Sequence, residues 1–324
     1  MADKNKFIAS NQPLYDYLSI FYNHGLYAVE LFFVISGFIF FYLYYDNIQN
    51  KSITLKAFFV KRLSRLYPLY FISFILVAFL QALFFETHNS YFVYYMNDIY
   101  HAILNILMIQ SWGLERGWSY NAPTWSISIE VLMYSMFFIF CLFKQKNSIT
   151  LIVIVLTAFF LYEINNGVMI GVFCFFLGGL SYNITQYLIS KIGSAYYFRA
   201  TLIFSLLSWL FISILHIENI FIIVSLGFAP TICALASLNA LKQNLGEEIE
   251  WVGDISYSSY LLHFPLQIVF VLFSDLNGYN RDIFNNTYVM LIFFTLLITI
   301  SYFSYKLIEI PAQRKIRDTF LRAN

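Results

Sequence analysis

Arg62 and Arg65 stand three residues apart in Lys61-Arg62-Leu63-Ser64-Arg65-Leu66-Tyr67-Pro68, the densest positive charge in a very apolar chain. On a helix that spacing sets them about 60° apart, on one face. A guanidinium pair held this way can grip a phosphate through bidentate hydrogen bonds. The same residues can also do no more than mark a cytoplasmic boundary, as Lys and Arg do in most polytopic proteins. On charge alone the boundary reading leads.

The other residues suited to chemistry lie inside apolar runs, where an ionised group costs about 2.5–3.5 kcal/mol at mid-helix. Glu130 closes Pro123-Thr-Trp-Ser-Ile-Ser-Ile-Glu130, about two turns into its run. Ser126 lies one turn before it, so a single polar stripe points into the bundle. Glu130 is read either as a working carboxylate or as a structural interhelical hydrogen bond. Glu30, near the outer end of the first run, can snorkel to the surface. His263 sits in Leu261-Leu262-His263-Phe264-Pro265. Pro265 removes a backbone donor and bends the helix near the Leu261 carbonyl, and a bend beside a histidine opens room for a base. A lone membrane histidine is also a common packing residue. His24, His88, His101 and His216 fall at loops or span ends and read as solvated. Cys141, Cys174 and Cys233 lie in apolar runs at no metal-like spacing and read as small apolar filler. Gly178-Gly179 and Ser36-Gly37 read as points of close helix approach. No Walker loop, strand-linked GxGxxG, HExxH, CxxC or GxSxG is present, so nucleotide-driven transport, flavin or nicotinamide chemistry and zinc hydrolysis have no support.

The elements that must carry these residues are membrane helices. Of 324 residues, 60% are hydrophobic and only 11% charged, against about 25% charged in an average soluble domain. The apolar runs are long rather than alternating, which predicts an all-α, polytopic helical bundle and no β-barrel. Spans are expected at 26–45, 67–85, 123–143, 149–164, 168–184, 200–216, 219–239, 255–274 and 287–308, about nine helices. Residues 1–25 read as a polar, tyrosine-rich lead-in without a cleavable signal peptide. Residues 26–308 read as one transmembrane domain and 309–324 as a basic tail. A short re-entrant or interfacial helix is expected around 100–112. Loop 46–66, turn 144–148, loop 185–199 and the tail are basic and alternate correctly to share the cytoplasmic side. A net charge of +1 points to no nucleic-acid partner.

Four segments in order resemble the acyltransferase 3 family of membrane acyltransferases: Val29–Phe38, Phe59–Pro68, Thr124–Glu130 and Ile255–Pro265. Ile308-Glu-Ile-Pro311 also resembles the family's ending. The resemblance implies a bundle, usually of ten spans, that moves an acyl group from cytoplasmic acyl-CoA to a hydroxyl. It implies acetyl as the acyl group, a cell-envelope carbohydrate as acceptor, and a bacterial inner-membrane location. The family's RxxR pair falls on Arg62 and Arg65, which makes them the CoA-binding residues. Glu130 and His263 become the catalytic candidates, the carboxylate orienting a base or the acceptor. The sequence departs from the pattern in lacking the family's first helix, with its Arg-Gly pair and catalytic histidine. Three readings follow: a longer active chain, an inactive relative, or His24 or His263 acting as the base. Outside the enzyme class, a flippase or transporter of a lipid-linked glycan, or a membrane scaffold, also fits an aromatic-rich bundle with sparse charge.

Overall fold

The computed structural model describes residues 9–143, 148–163, 165–242 and 246–321. Among the described residues all regular structure is helical. The helices are α1 (Tyr15–His24), α2 (Ala28–Gln49), α3 (Leu55–His88), α4 (Ile99–Ile106), α5 (Thr124–Leu142), α6 (Ser148–Thr157) and α7 (Asn166–Ile192). They continue as α8 (Ser194–Ile214), α9 (Ile220–Ile222), α10 (Ala229–Leu241), α11 (Glu250–Leu276), α12 (Thr287–Ser304) and α13 (Ile310–Leu321). Eight helical stretches are long and apolar enough to cross a membrane, and Ser148–Leu161 is a shorter apolar one. The expected all-α membrane bundle of roughly nine spans is the fold.

Several boundaries differ from the sequence reading. Residues 46–66 do not form a loop: α2 runs to Gln49 and α3 begins at Leu55. Lys56, Lys61, Arg62 and Arg65 therefore ride on a helix of 34 residues, about 51 Å long against a hydrocarbon core of about 30 Å. A helix satisfies its own backbone as well outside the bilayer as inside it, so a change from apolar to basic side chains does not end it. The loop expected at 185–199 shrinks to Gly193, whose φ of 81° suits a residue without a Cβ. The lead-in is helical from Tyr15, and α1 runs through a 3₁₀ turn, Gly25–Tyr27, into α2. The short helix expected near 100–112 is α4, capped by the Asp98 carboxylate on the His101 N–H. The charges expected at Asp3, Lys4 and Lys6, the basic pair Lys144 and Lys146, and Arg322 lie outside the described residues.

The chain divides into two compact units. The first takes Met1–Gly25, Leu55–Ser128 and Glu248–Asn324; the second takes Leu26–Thr54 and Ile129–Glu247. In the second, α2 packs on α7 through small residues, as their positions in the sequence suggested. A Cβ on Gly37 would run into the Phe175 carbonyl, and one on Gly178 into the Val34 carbonyl. Without a hydrophobic drive between helices in lipid, this close approach is what holds them. Aromatic rings fill the space alongside: Phe40 stacks on Tyr134 at 4.8 Å and meets Phe175 edge-on at 5.5 Å. In the first unit the core is Phe74, Val77, Leu80 and Phe84 of α3 against Phe264, Ile268 and Val271 of α11, closed by Tyr120.

Gly178→Val should force α2 and α7 apart, at a cost of about 1–3 kcal/mol. Thermal unfolding in detergent should show a lower midpoint than wild type. Gly253→Ala, where a Cβ meets nothing, should leave the midpoint unchanged or raised.

Candidate active site

The arginine pair lies where α3 is held by two other helices. Ser64 and Leu66 are buried, Arg62 is partly buried and Arg65 is exposed. Tyr257 of α11 donates its hydroxyl to the Leu66 carbonyl at 2.7 Å. From α13, Arg317 donates to Ser64 Oγ at 3.3 Å and to the Lys61 carbonyl at 3.1 Å. One turn of α3 is thereby fixed from both sides, with the Arg65 side chain left facing out.

Behind it stands a carboxylate to which the sequence reading gave no role. Glu309 is 6% exposed and accepts a short hydrogen bond from the hydroxyl of Ser258, which is fully buried. Arg65 lies within electrostatic reach of Glu309 and of the Tyr305 hydroxyl, which also interacts with Asp254. Tyr305–Glu309 forms a π-helical turn just ahead of Pro311. Pro311 cannot donate to the carbonyl four residues back, and a widened turn absorbs that mismatch. The rule that singled out Glu30 and Glu130, a carboxylate inside an apolar run, applies equally to Glu309. Its place in the closing Ile-Glu-Ile-Pro segment hid it.

His263 is oriented by its own helix. Its Nδ1 lies 2.7 Å from the Tyr260 carbonyl. A carbonyl only accepts, so Nδ1 carries the proton and Nε2 is the basic nitrogen. Pro265 leaves the Leu261 carbonyl without its helical donor, and Asn121 Nδ2 supplies one at 3.2 Å. Tyr260 donates its hydroxyl to the Pro123 carbonyl at 3.0 Å and lies 2.7 Å from Ser126 Oγ. The proline-containing turn of α11, a helix that runs on past Pro265 to Leu276, is thus tied to the start of α5.

The segment that makes this lock is itself well tied. Gln81 of α3 and Phe92 exchange two hydrogen bonds, 2.9 and 2.8 Å. Asn97 Oδ1 accepts from the Tyr120 N–H at 2.7 Å. His101 is fully buried, which corrects the solvated reading. Its Nδ1 faces Asp98 Oδ1 at 2.8 Å, and its Nε2 accepts from the Arg116 N–H at 3.2 Å. That pattern requires the neutral ring, with its proton on Nδ1. Backbone and side-chain hydrogen bonds from His101 hold the Asp98 carboxyl below its ordinary range. His88, at the end of α3, pairs with Asp275 at 2.9 Å.

Arg62, Arg65, His263 and Glu309 belong to the first compact unit, and Glu130 to the second. Glu130 is 5% exposed and accepts a short hydrogen bond from Tyr134, one turn along α5. Ser126, one turn before it on α5, bonds to the Tyr260 hydroxyl. Glu30 has one oxygen, Oε2, enclosed without a hydrogen bond. The three cysteines are buried thiols. Among the described residues no cluster of His, Cys, Asp or Glu could hold a metal ion.

Ser258→Ala should leave the buried Glu309 carboxylate without its donor, lowering stability by about 1–3 kcal/mol. Adding Glu309→Leu should restore part of that loss, because a buried charge without its partner costs more than an apolar group of similar size. Thermal midpoints of the two single variants and the double variant check this; additive losses would contradict it.

No curated protein and no solved structure matches the chain. A family model does, described as an acyltransferase domain, over residues 5–306. That stretch contains Arg62, Arg65, Glu130 and His263 and stops just short of Glu309. It spans nearly all of the chain, and the chain belongs to the acyltransferase 3 family of membrane acyltransferases.

Proposed function

We propose that this protein transfers an acyl group, acetyl being the family's usual one, from acyl-CoA to a hydroxyl of a cell-envelope carbohydrate. The observation that carries the reading is the exposed Arg65, backed by the buried, Ser258-bonded Glu309. A guanidinium stays charged at any working pH and has five donors in a planar fork. A buried carboxylate within electrostatic reach favours the charged side chain there, and no hydrogen bond to that carboxylate uses up the donors available to phosphate oxygens. Lys61 and Arg62 stand on the same or the adjoining turn of α3 and Arg317 of α13 bonds to that turn, so cations outnumber the carboxylates Asp254 and Glu309. CoA, with its pyrophosphate and ribose phosphate, suits such a grip.

The base belongs deeper in the bundle, because the pantetheine arm separates the thioester from the phosphates. His263 lies six residues beyond Tyr257 on α11, about 9 Å along the axis, and Tyr257 is bonded beside the arginines. In the proposed reaction His263 Nε2 takes the acceptor hydroxyl proton as the oxygen attacks the thioester carbonyl. The carbon–sulfur bond then breaks, and the CoA thiolate leaves and takes up the proton from the imidazolium. Glu130, held by Tyr134, is proposed to orient the acceptor. The basic side of the bundle faces the cytoplasm, where acyl-CoA is found, and the membrane is the bacterial inner membrane.

The test is acetyl-CoA-dependent O-acetylation of envelope glycan in cells carrying wild type or a variant. Arg65→Ala should cut the rate about tenfold to a hundredfold, the size of a lost charge-assisted hydrogen bond, mainly through the KM for acetyl-CoA. Arg65→Lys should recover only part of it. His263→Gln should lower kcat with little change in that KM. Equal acetylation by wild type and Arg65→Ala would remove the arginines from the mechanism.

A further inference from the structure

The segment joining α3 to α5 folds around a small cavity of about 10 Å³, room for one water-sized group. Its rim is aromatic. Trp118, 54% exposed, stacks on Tyr94 with centroids 5.9 Å apart and meets Trp125 edge-on at 6.2 Å. Its depth is polar and neutral, with no charged side chain in the lining. Two carboxamides there are almost wholly enclosed, Gln110 at 6% and Asn121 at 1% exposed.

Their orientation is fixed by what they touch. Gln110 Nε2 donates to the Thr124 carbonyl at 3.0 Å. Asn121 Nδ2 donates to the Leu261 carbonyl at 3.2 Å and to Ser73 Oγ at 3.3 Å. Carbonyls only accept, so neither amide can be turned over. The opposite atoms, Gln110 Oε1 and Asn121 Oδ1, are buried acceptors with no hydrogen-bond partner. Two such acceptors in one neutral cavity call for O–H donors, and an exposed indole at its mouth calls for a ring with an apolar C–H face. A charged ligand finds no counter-charge there.

We propose that this cavity is a binding site for a neutral pyranoside. One of its hydroxyl groups enters the cavity and donates to Asn121 Oδ1, a neighbouring hydroxyl answers Gln110 Oε1, and the ring face lies against Trp118. The proposal rests on the reading of a carbohydrate acceptor above and gives that acceptor a place. Asn121 is the link to the chemistry. Its nitrogen holds the Leu261 carbonyl, two residues before His263, so a hydroxyl received by its oxygen is registered on the helical turn that carries the base.

The test uses the purified full-length protein in detergent and saturation-transfer NMR. The probes are the methyl glycosides of glucose, galactose and N-acetylglucosamine, with cyclohexanol as the ring that lacks a sugar's hydroxyl pattern. At least one glycoside should receive saturation well above cyclohexanol. Trp118→Ala, at a ring 54% exposed, should weaken that signal at least fivefold, and Gln110→Met likewise. Binding of acetyl-CoA should stay within twofold of wild type in both variants. The proposal is overturned if no glycoside exceeds cyclohexanol, or if both variants keep the full signal, as a cavity holding only a structural water would give. If Gln110→Met fails to fold, Trp118→Ala alone decides. Glycoside binding without CoA binding would sink acyl transfer and leave this site standing; CoA binding without glycoside binding would do the reverse.

Discussion

A proline inside a membrane helix strands a carbonyl, and the bilayer offers no water to satisfy it. At Pro265 the stranded carbonyl is that of Leu261, and the donor that answers it is Asn121. Much of the first unit depends on this one bond. It joins the proline turn of α11 to the loop ahead of α5, and Tyr260 reinforces the join through Pro123. His263 sits within that turn, with its tautomer set by the Tyr260 carbonyl. A substitution at Asn121 would therefore disturb the proline turn, the histidine and the polar cavity together.

The basic end of the same unit obeys a second constraint, the cost of burying charge. Glu309 is enclosed in a helix of a membrane protein, and such groups persist only when bonded and paired. Ser258 supplies the bond and Arg65 the nearby opposite charge. The arrangement leaves the cation at the surface and the anion inside. An exposed arginine still costs side-chain entropy to immobilise on a ligand, and the nearby buried carboxylate contributes charge rather than a direct bond.

The sequence made some of this legible for clear reasons. Long apolar runs announce membrane helices, because length and hydropathy are local properties. Gly37 and Gly178 could be read as packing positions because nothing but close approach explains a small residue there. The stranded Leu261 carbonyl follows from covalent chemistry at Pro265. The identity of the residue that satisfies it does not, since Asn121 lies 140 positions away. Charge reads as loop at 46–66 and 185–199, yet helices fill most of both stretches, interrupted only between Gln49 and Leu55 and at Gly193, because a helix bonds its own backbone outside the bilayer as well as inside it. His101 was read as solvated from its place between spans, and only tertiary contacts bury it against Asp98 and the Arg116 amide. Glu309 was visible in kind but went without a role until Ser258 and Arg65 were found beside it.

The account stands on a donor held by its phosphates at the α3 arginines with its thioester reaching toward His263. The most direct measurement is an experimental structure of the protein with CoA bound. The account requires a CoA phosphate within hydrogen-bonding distance of the Arg65 guanidinium and the sulfur end directed along α11 toward His263 Nε2. CoA bound away from α3, or Arg65 turned to bulk solvent in the complex, would contradict it.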